Sequence, residues 1–136
     1  MKLLLDSNVI IAAFATRGLC SDLFEICLEN HDIILSPQLL QEIATNLRKK
    51  IKLPVGVTNQ IIDYLQQIAI IETTTRPVDP KICRDPDDIK VLELAASAMP
   101  DCIVTGDSDL LVLKKFEGVP ILSPRDFWNF LAKRKS

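Results

Sequence analysis

The sequence is poor in the residues that most often build transition-metal sites. Its 136 residues include one histidine, His31, and four cysteines without a C-x-x-C pair. Structural zinc sites need four closely spaced cysteine or histidine ligands, so this composition argues against a zinc-binding module. Cys20 and Cys27, seven residues apart in a predicted helix, are expected to be small core residues with free thiols.

Long apolar runs are also missing. The run at 9–15 is too short to span a bilayer, and it follows Asp6, which is atypical of a signal peptide. Free thiols without an export signal predict a cytoplasmic protein that does not contact membranes. The formal net charge of −2 shows no excess of basic residues, although nucleic-acid-binding domains are usually basic.

Short apolar runs alternate with helical periodicity along the whole chain. Strands are predicted at about 2–6, 33–35, 69–72, 102–105 and 119–122. Helices are predicted at about 7–15, 21–29, 36–50, 59–67, 85–98, from 108 and from 123. The strands are uniformly apolar, which is typical of parallel strands buried on both faces. The prediction is a single α/β domain over residues 1–136, with a parallel sheet of four or five strands between two helical layers.

Two aspartates follow apolar strands. Asp6 comes directly after 3–5, and Asp107 follows 102–105. In an open sheet of parallel strands, ligands bind beyond the carboxyl ends of the strands. Neither motif contains a lysine or arginine, so the two carboxylates would repel each other unless they bind a cation. The pattern therefore predicts a site for a hard divalent metal ion.

A third acid lies at the start of a helix. Asp88 shares a helical stripe with Leu92, Ala95 and Met99, so its side chain is expected to begin the buried face. Its neighbours are interpreted differently: residue 85 precedes a proline and suits an N-cap, and residue 87 projects to another face as a favourable first-turn charge.

Glu42 carries a weaker signal. It lies on the flank of an apolar helical stripe, where a solvated glutamate is the commonest outcome. Capping is an alternative explanation for Asp6, Asp107 and Asp109, because an aspartate after a strand caps the next helix well. Capping does not explain why several such acids gather at one edge of a sheet.

Four segments, in this order, resemble the motifs of PIN domains. They are Asp6-Ser7-Asn8, Glu42 in the helix after Ser36-Pro37, Asp85-Pro86-Asp87-Asp88, and Val104-Thr105-Gly106-Asp107-Ser108-Asp109. The nearest branch is that of toxins from bacterial and archaeal toxin–antitoxin modules. The resemblance extends over essentially the whole chain and implies a three-layer sandwich.

The resemblance also implies an endoribonuclease that uses Mg²⁺ or Mn²⁺. By position, the acidic cluster comprises Asp6, Glu42, Asp88 and Asp107, with Asp109 as an accessory acid. The polar positions that support the cluster are Ser7, Asn8 and Thr105. The implied partners are an RNA substrate, a small antitoxin protein and a second copy of the chain in a homodimer.

Basic residues near the end of one predicted helix are candidates for RNA contact. They are Arg48, Lys49 and Lys50, and Arg17 in the loop after the first helix is a further candidate. Such groups bind phosphates with release of counterions. Cations in the last helical turn also complement the helix dipole without any ligand. The acids of the cluster together carry more negative charge than the formal net charge of −2, so the net charge of all other residues is positive.

Other functions remain open at this point. A haloacid-dehalogenase-like phosphatase would need Asp-x-Asp after the first strand, where this chain has Asn8. A receiver domain would need paired acids there and a lysine late in the chain, and neither motif is found. A PIN-like module that binds RNA or protein without cleavage is disfavoured by the intact acids. A housekeeping RNA-processing nuclease is compatible with the same residues.

Overall fold

Six strands form one sheet in the order β3-β2-β1-β4-β6-β5 in the computed structural model, which describes residues 1–134. The strands are Lys2–Leu5 (β1), Asp32–Leu35 (β2), Ile70–Ile71 (β3), Cys102–Val104 (β4), Lys115–Phe116 (β5) and Val119–Leu122 (β6). The helices are Ser7–Ala15 (α1), Leu19–Asn30 (α2), Pro37–Lys49 (α3), Val55–Ile68 (α4), Ile89–Ala98 (α5), Ser108–Leu111 (α6) and Pro124–Arg134 (α7).

The parallel part of the sheet has five strands. β1 lies at its centre between β2 and β4, with Leu4 in register with Ile34 on one side and Ile103 on the other. These three residues are fully buried. Burial on both faces explains why β1, β2 and β4 appear in the sequence as unbroken apolar runs. The α/β fold class with helices flanking a mostly parallel sheet is confirmed.

β5 is a strand that the sequence analysis does not predict. It pairs antiparallel with β6 through a two-residue turn at Glu117 and Gly118, which have φ angles of 48° and 82°. Left-handed conformations at both turn residues match the twist of a tight hairpin. Unlike β3, which is made of two isoleucines, β5 contains a lysine and a single apolar residue, so it has no apolar run to indicate a strand.

The helix starts are set by side-chain caps. Ser36 Oγ accepts a hydrogen bond from Leu39 N at 3.1 Å, and Pro37 occupies the first turn of α3, as predicted. For α1 the sequence predicts Ser7 or Asn8 as the N-cap, and this prediction is wrong. The N-cap is Asp6, whose carboxylate accepts a hydrogen bond from the next backbone N–H.

The predicted helix at 85–98 is two elements. A 3-10 turn, Pro86–Asp88, comes before α5, because Asp85 accepts hydrogen bonds from backbone N–H groups both two and three residues later. The buried stripe begins at Asp88 as expected but does not reach Met99, which ends α5 in a left-handed conformation and is 54% exposed. No helix within residues 1–134 has the length and apolar character needed to cross a bilayer.

Candidate metal centre

The acids meet in a cleft beyond the carboxyl ends of β1 and β4. Its volume is about 480 Å³. The carboxylates that line it are Asp6, Glu42, Asp85, Asp87, Asp88 and Asp107. They come from the loops after β1 and β4, from α3 and from the 3-10 turn. The parallel topology therefore brings residues far apart in sequence to one edge of the sheet.

Asp6 is held rigidly by its neighbours. It is only 3% exposed, and its Oδ2 accepts hydrogen bonds from Thr105 Oγ1 at 2.8 Å and from Asn8 Nδ2 at 3.1 Å. Its Oδ1 accepts from Ser7 N at 2.7 Å. Asn8 also accepts from Gly106 N at 3.0 Å, which ties together the loops after β1 and β4. Thr105 and Asn8 thus contact Asp6 through their side chains, and Ser7 through its backbone.

Asp107 both caps a helix and lies among the converging acids. Its Oδ1 accepts from Asp109 N at 2.8 Å and caps α6, while its own N–H donates to Thr105 Oγ1 at 3.0 Å. One carboxylate oxygen of each of Asp85, Asp88 and Asp107 lies within 4.8 Å of the others. Capping and membership of the acidic cluster are therefore compatible.

Asp85 is the acid whose place the sequence analysis missed. It does cap the 3-10 turn, through Oδ1 and Asp87 N at 3.0 Å, but it also belongs to the group of three converging carboxylates. Its interpretation as a cap alone was incomplete. The D-x-x-D spacing to Asp88 could have indicated it, since residues three apart in a helical turn lie on one face.

Proton binding reflects the crowding of negative charge. Burial, a hydrogen bond to the Asp107 carboxyl and the charges of Asp107, Asp6 and Asp85 raise the pKa of Asp88 from its ordinary 3.8 to about 8. Burial also raises the pKa of Asp6, against the hydrogen bonds from Thr105 and Ser7 that lower it. A divalent cation would remove this repulsion, so the donor set fits a hard metal ion.

A cation from outside the expected motifs also reaches the cluster. Lys90 Nζ, from α5, lies 3.2 Å from Glu42 Oε1. Glu42 Oε2 is buried and has no hydrogen-bond partner in the part of the chain that the structure describes. Lys90 is not predictable from the sequence, because no pattern along the chain links it to a residue in α3.

Of the remaining candidate residues, only one lines the cleft. Lys50 lines it, and Asn46, one turn earlier on α3, does so too. The candidates that are not among its lining residues are Asp109, Arg17, Arg48 and Lys49. The last three are exposed, and Asp109 is half-buried.

We expect the metal-free protein to lose stability as the pH rises from about 4 to about 8, because over this interval the folded state keeps a proton on Asp88 that the unfolded chain has released. This stabilisation is fully present below the ordinary pKa and disappears as the pH passes the raised one. Urea unfolding in EDTA at about pH 5 and about pH 8 measures the loss. The Asp88→Asn variant should lose less, and equal losses in both proteins would contradict the assignment.

Two comparisons with known proteins give matches. A family model described as PIN domain matches residues 2–109. Among solved structures, the chain is similar to VapBC2 from Rickettsia felis, crystallised with a DNA fragment from the promoter of that system. The TM-score is 0.64 at 14% identity, with 90% of this chain and 98% of that chain covered. This likeness shows the fold. A sequence comparison with curated proteins gives no match.

Proposed function

The chain belongs to the PIN-domain family, and we propose that it is an Mg²⁺- or Mn²⁺-dependent endoribonuclease, the toxin of a toxin–antitoxin pair. The observation that carries the proposal is the convergence of Asp85, Asp88 and Asp107 within 4.8 Å in a cleft that also contains buried Asp6. Carboxylates so close together are costly in the absence of a cation, which makes a purely structural role a poor explanation.

The proposed ligands of the cation are the four acids of the cluster, Asp6, Glu42, Asp88 and Asp107, together with Asp85, whose carboxylate lies close to those of Asp88 and Asp107. A bound divalent ion lowers the pKa of a water molecule and neutralises charge on the attacking and leaving oxygens of a phosphodiester. The protein's part is positioning. Thr105 and Asn8 fix the Asp6 carboxylate, and the α6 cap fixes Asp107, so these oxygens need no reordering when the cation binds. Asp109, outside the cleft, is proposed only as an accessory acid.

The RNA backbone is proposed to approach along α3. Glu42, Asn46 and Lys50 follow one another at four-residue spacing, and all three line the cleft. This face of the helix therefore carries an anionic side chain first, then a neutral one, and a cationic one at its end. Lys50 can bind a phosphate next to the one that is cleaved. Arg48 and Lys49 precede it in the chain and are exposed. Arg17 is a weaker candidate, since it lies beyond the end of α1 and does not line the cleft itself, although Thr16 before it does.

A protein partner is part of the proposal. The structural neighbour is a VapBC2 assembly, which supports a small antitoxin as the partner of this chain. Two apolar side chains are exposed after α3: Ile51, which lines the cleft and is 38% exposed, and Val55, which is 56% exposed. We take them as candidate contacts of a protein partner. Either an antitoxin or a second copy of the chain, in a homodimer, could cover them.

Cleavage of RNA by metal-stripped protein tests the function. We expect no cleavage of a single-stranded RNA in EDTA and cleavage once Mg²⁺ or Mn²⁺ is supplied in excess. Cleavage that persists in EDTA would contradict the mechanism, and RNA binding without cleavage in either condition would favour the non-cleaving module. Inhibition by a small protein encoded directly upstream would distinguish a toxin from an RNA-processing nuclease.

A further inference from the structure

Glu42 is the one acid of the cleft with a cationic partner among the described residues. Its Oε1 lies 3.2 Å from Lys90 Nζ, and the two side chains are 24% and 28% exposed. The pair connects α3 to α5 directly beside the cluster. The other carboxylate oxygen of Glu42, Oε2, is buried without a hydrogen bond in the described part of the chain.

The two carboxylate oxygens of Glu42 therefore differ: Oε1 is paired with Lys90, and Oε2 has no partner among the described residues. A buried carboxylate oxygen without a partner is unfavourable, and a glutamate with free rotamers would turn it towards water. The Lys90 ammonium, 3.2 Å from Oε1, attracts this oxygen and so opposes the rotation. A partly exposed ion pair adds little to folding stability by itself, so its main consequence is to fix the direction of the carboxylate.

We propose that Lys90 is a positioning residue that fixes Glu42 through Oε1 and so presents Oε2 to a divalent cation in the cleft. The proposal rests on the metal-dependent function proposed above. Lys90 acts here only through Glu42. It follows that the effect of removing Lys90 should disappear when Glu42 can no longer bind a cation.

Two other roles for Lys90 predict different results. If Lys90 competes with the metal ion for Glu42, its removal should tighten metal binding. If it binds an RNA phosphate instead, its removal should leave metal binding unchanged and raise KM for RNA, whichever residue occupies position 42.

The experiment is a double-mutant cycle in metal affinity, which needs no enzymatic activity. The melting temperature of each EDTA-treated protein is followed during an Mn²⁺ titration, and the apparent affinity is obtained by fitting its rise with the logarithm of the Mn²⁺ concentration. The proteins are the wild type, Lys90→Met, Glu42→Gln, the Lys90→Met/Glu42→Gln double variant and Lys90→Arg. Lys115→Met is a matched control, because it removes the same charge at an exposed position in β5.

We expect Lys90→Met to weaken Mn²⁺ binding by roughly 10- to 100-fold, the usual effect of losing a group that orients a metal ligand. Lys90→Arg should retain most of the affinity, and Lys115→Met should match the wild type. The double variant should bind Mn²⁺ as Glu42→Gln does. If Lys90→Met fails to fold, Lys90→Gln takes its place in the cycle, because it removes the same charge and keeps a polar side chain.

Unchanged or tighter Mn²⁺ binding by Lys90→Met would overturn the role of Lys90, and so would a further loss in the double variant relative to Glu42→Gln. These outcomes leave the metal site itself intact. A wild-type protein that shows no response to Mn²⁺ would instead overturn the metal-dependent function, and the role of Lys90 with it.

Discussion

Asp88→Asn is expected to reduce RNA cleavage by at least about 100-fold in saturating Mg²⁺, more than the 10- to 100-fold typical of residues that only orient a metal ligand. Asp88 is 6% exposed, converges with two other carboxylates and carries a strongly raised pKa. Asparagine has nearly the same shape but lacks the negative charge that a cation requires. Single-turnover cleavage of a labelled RNA measures the loss.

Asp87→Asn is the matched control, since it makes the same chemical change one residue away. Asp87 is exposed at the rim of the cleft and does not belong to the three converging carboxylates. We expect this variant to keep most of the activity. Comparable losses from both variants would show that general negative charge at the cleft, rather than the buried position of Asp88, is what matters.

The sequence predicts the fold and the edge of the sheet that carries the acids. The apolar runs that end in Asp6 and Asp107 are sufficient for this. A parallel strand that is buried on both faces is recognisable as an unbroken apolar run. The carboxyl ends of parallel strands lie at the same edge of the sheet, which places the two aspartates there. The helical phase of Asp88 also predicts its burial correctly.

Contacts between side chains of different helices or strands cannot be predicted from local sequence patterns. Lys90 meets Glu42 only because α5 packs against α3, and the sequence places them far apart. Asp85 is fully explained in the sequence as an N-cap, so its place among the three converging carboxylates was not predicted. Residues with a sufficient local explanation are therefore the easiest functional candidates to miss.

Asp107→Asn separates capping from metal binding. Asparagine caps a helix about as well as aspartate, so the cap on α6 should survive, whereas loss of a cap in Asp107→Ala costs about 1 kcal/mol. The substitution also removes a negative charge that raises the pKa of Asp88. The metal-free variant should therefore be as stable as the wild type or slightly more stable, as is common when a functional site is neutralised. Its RNA cleavage should nevertheless fall by at least about 100-fold.

The most direct test of the metal site is the cleavage of RNA by folded Asp107→Asn protein in excess Mn²⁺. Urea unfolding in EDTA first establishes that the variant is folded and as stable as the wild type. The metal-site account then predicts that cleavage is almost completely lost at every Mn²⁺ concentration up to saturation of the wild type. Cleavage at the wild-type rate would contradict it, because Asp107 would then be only the cap of α6.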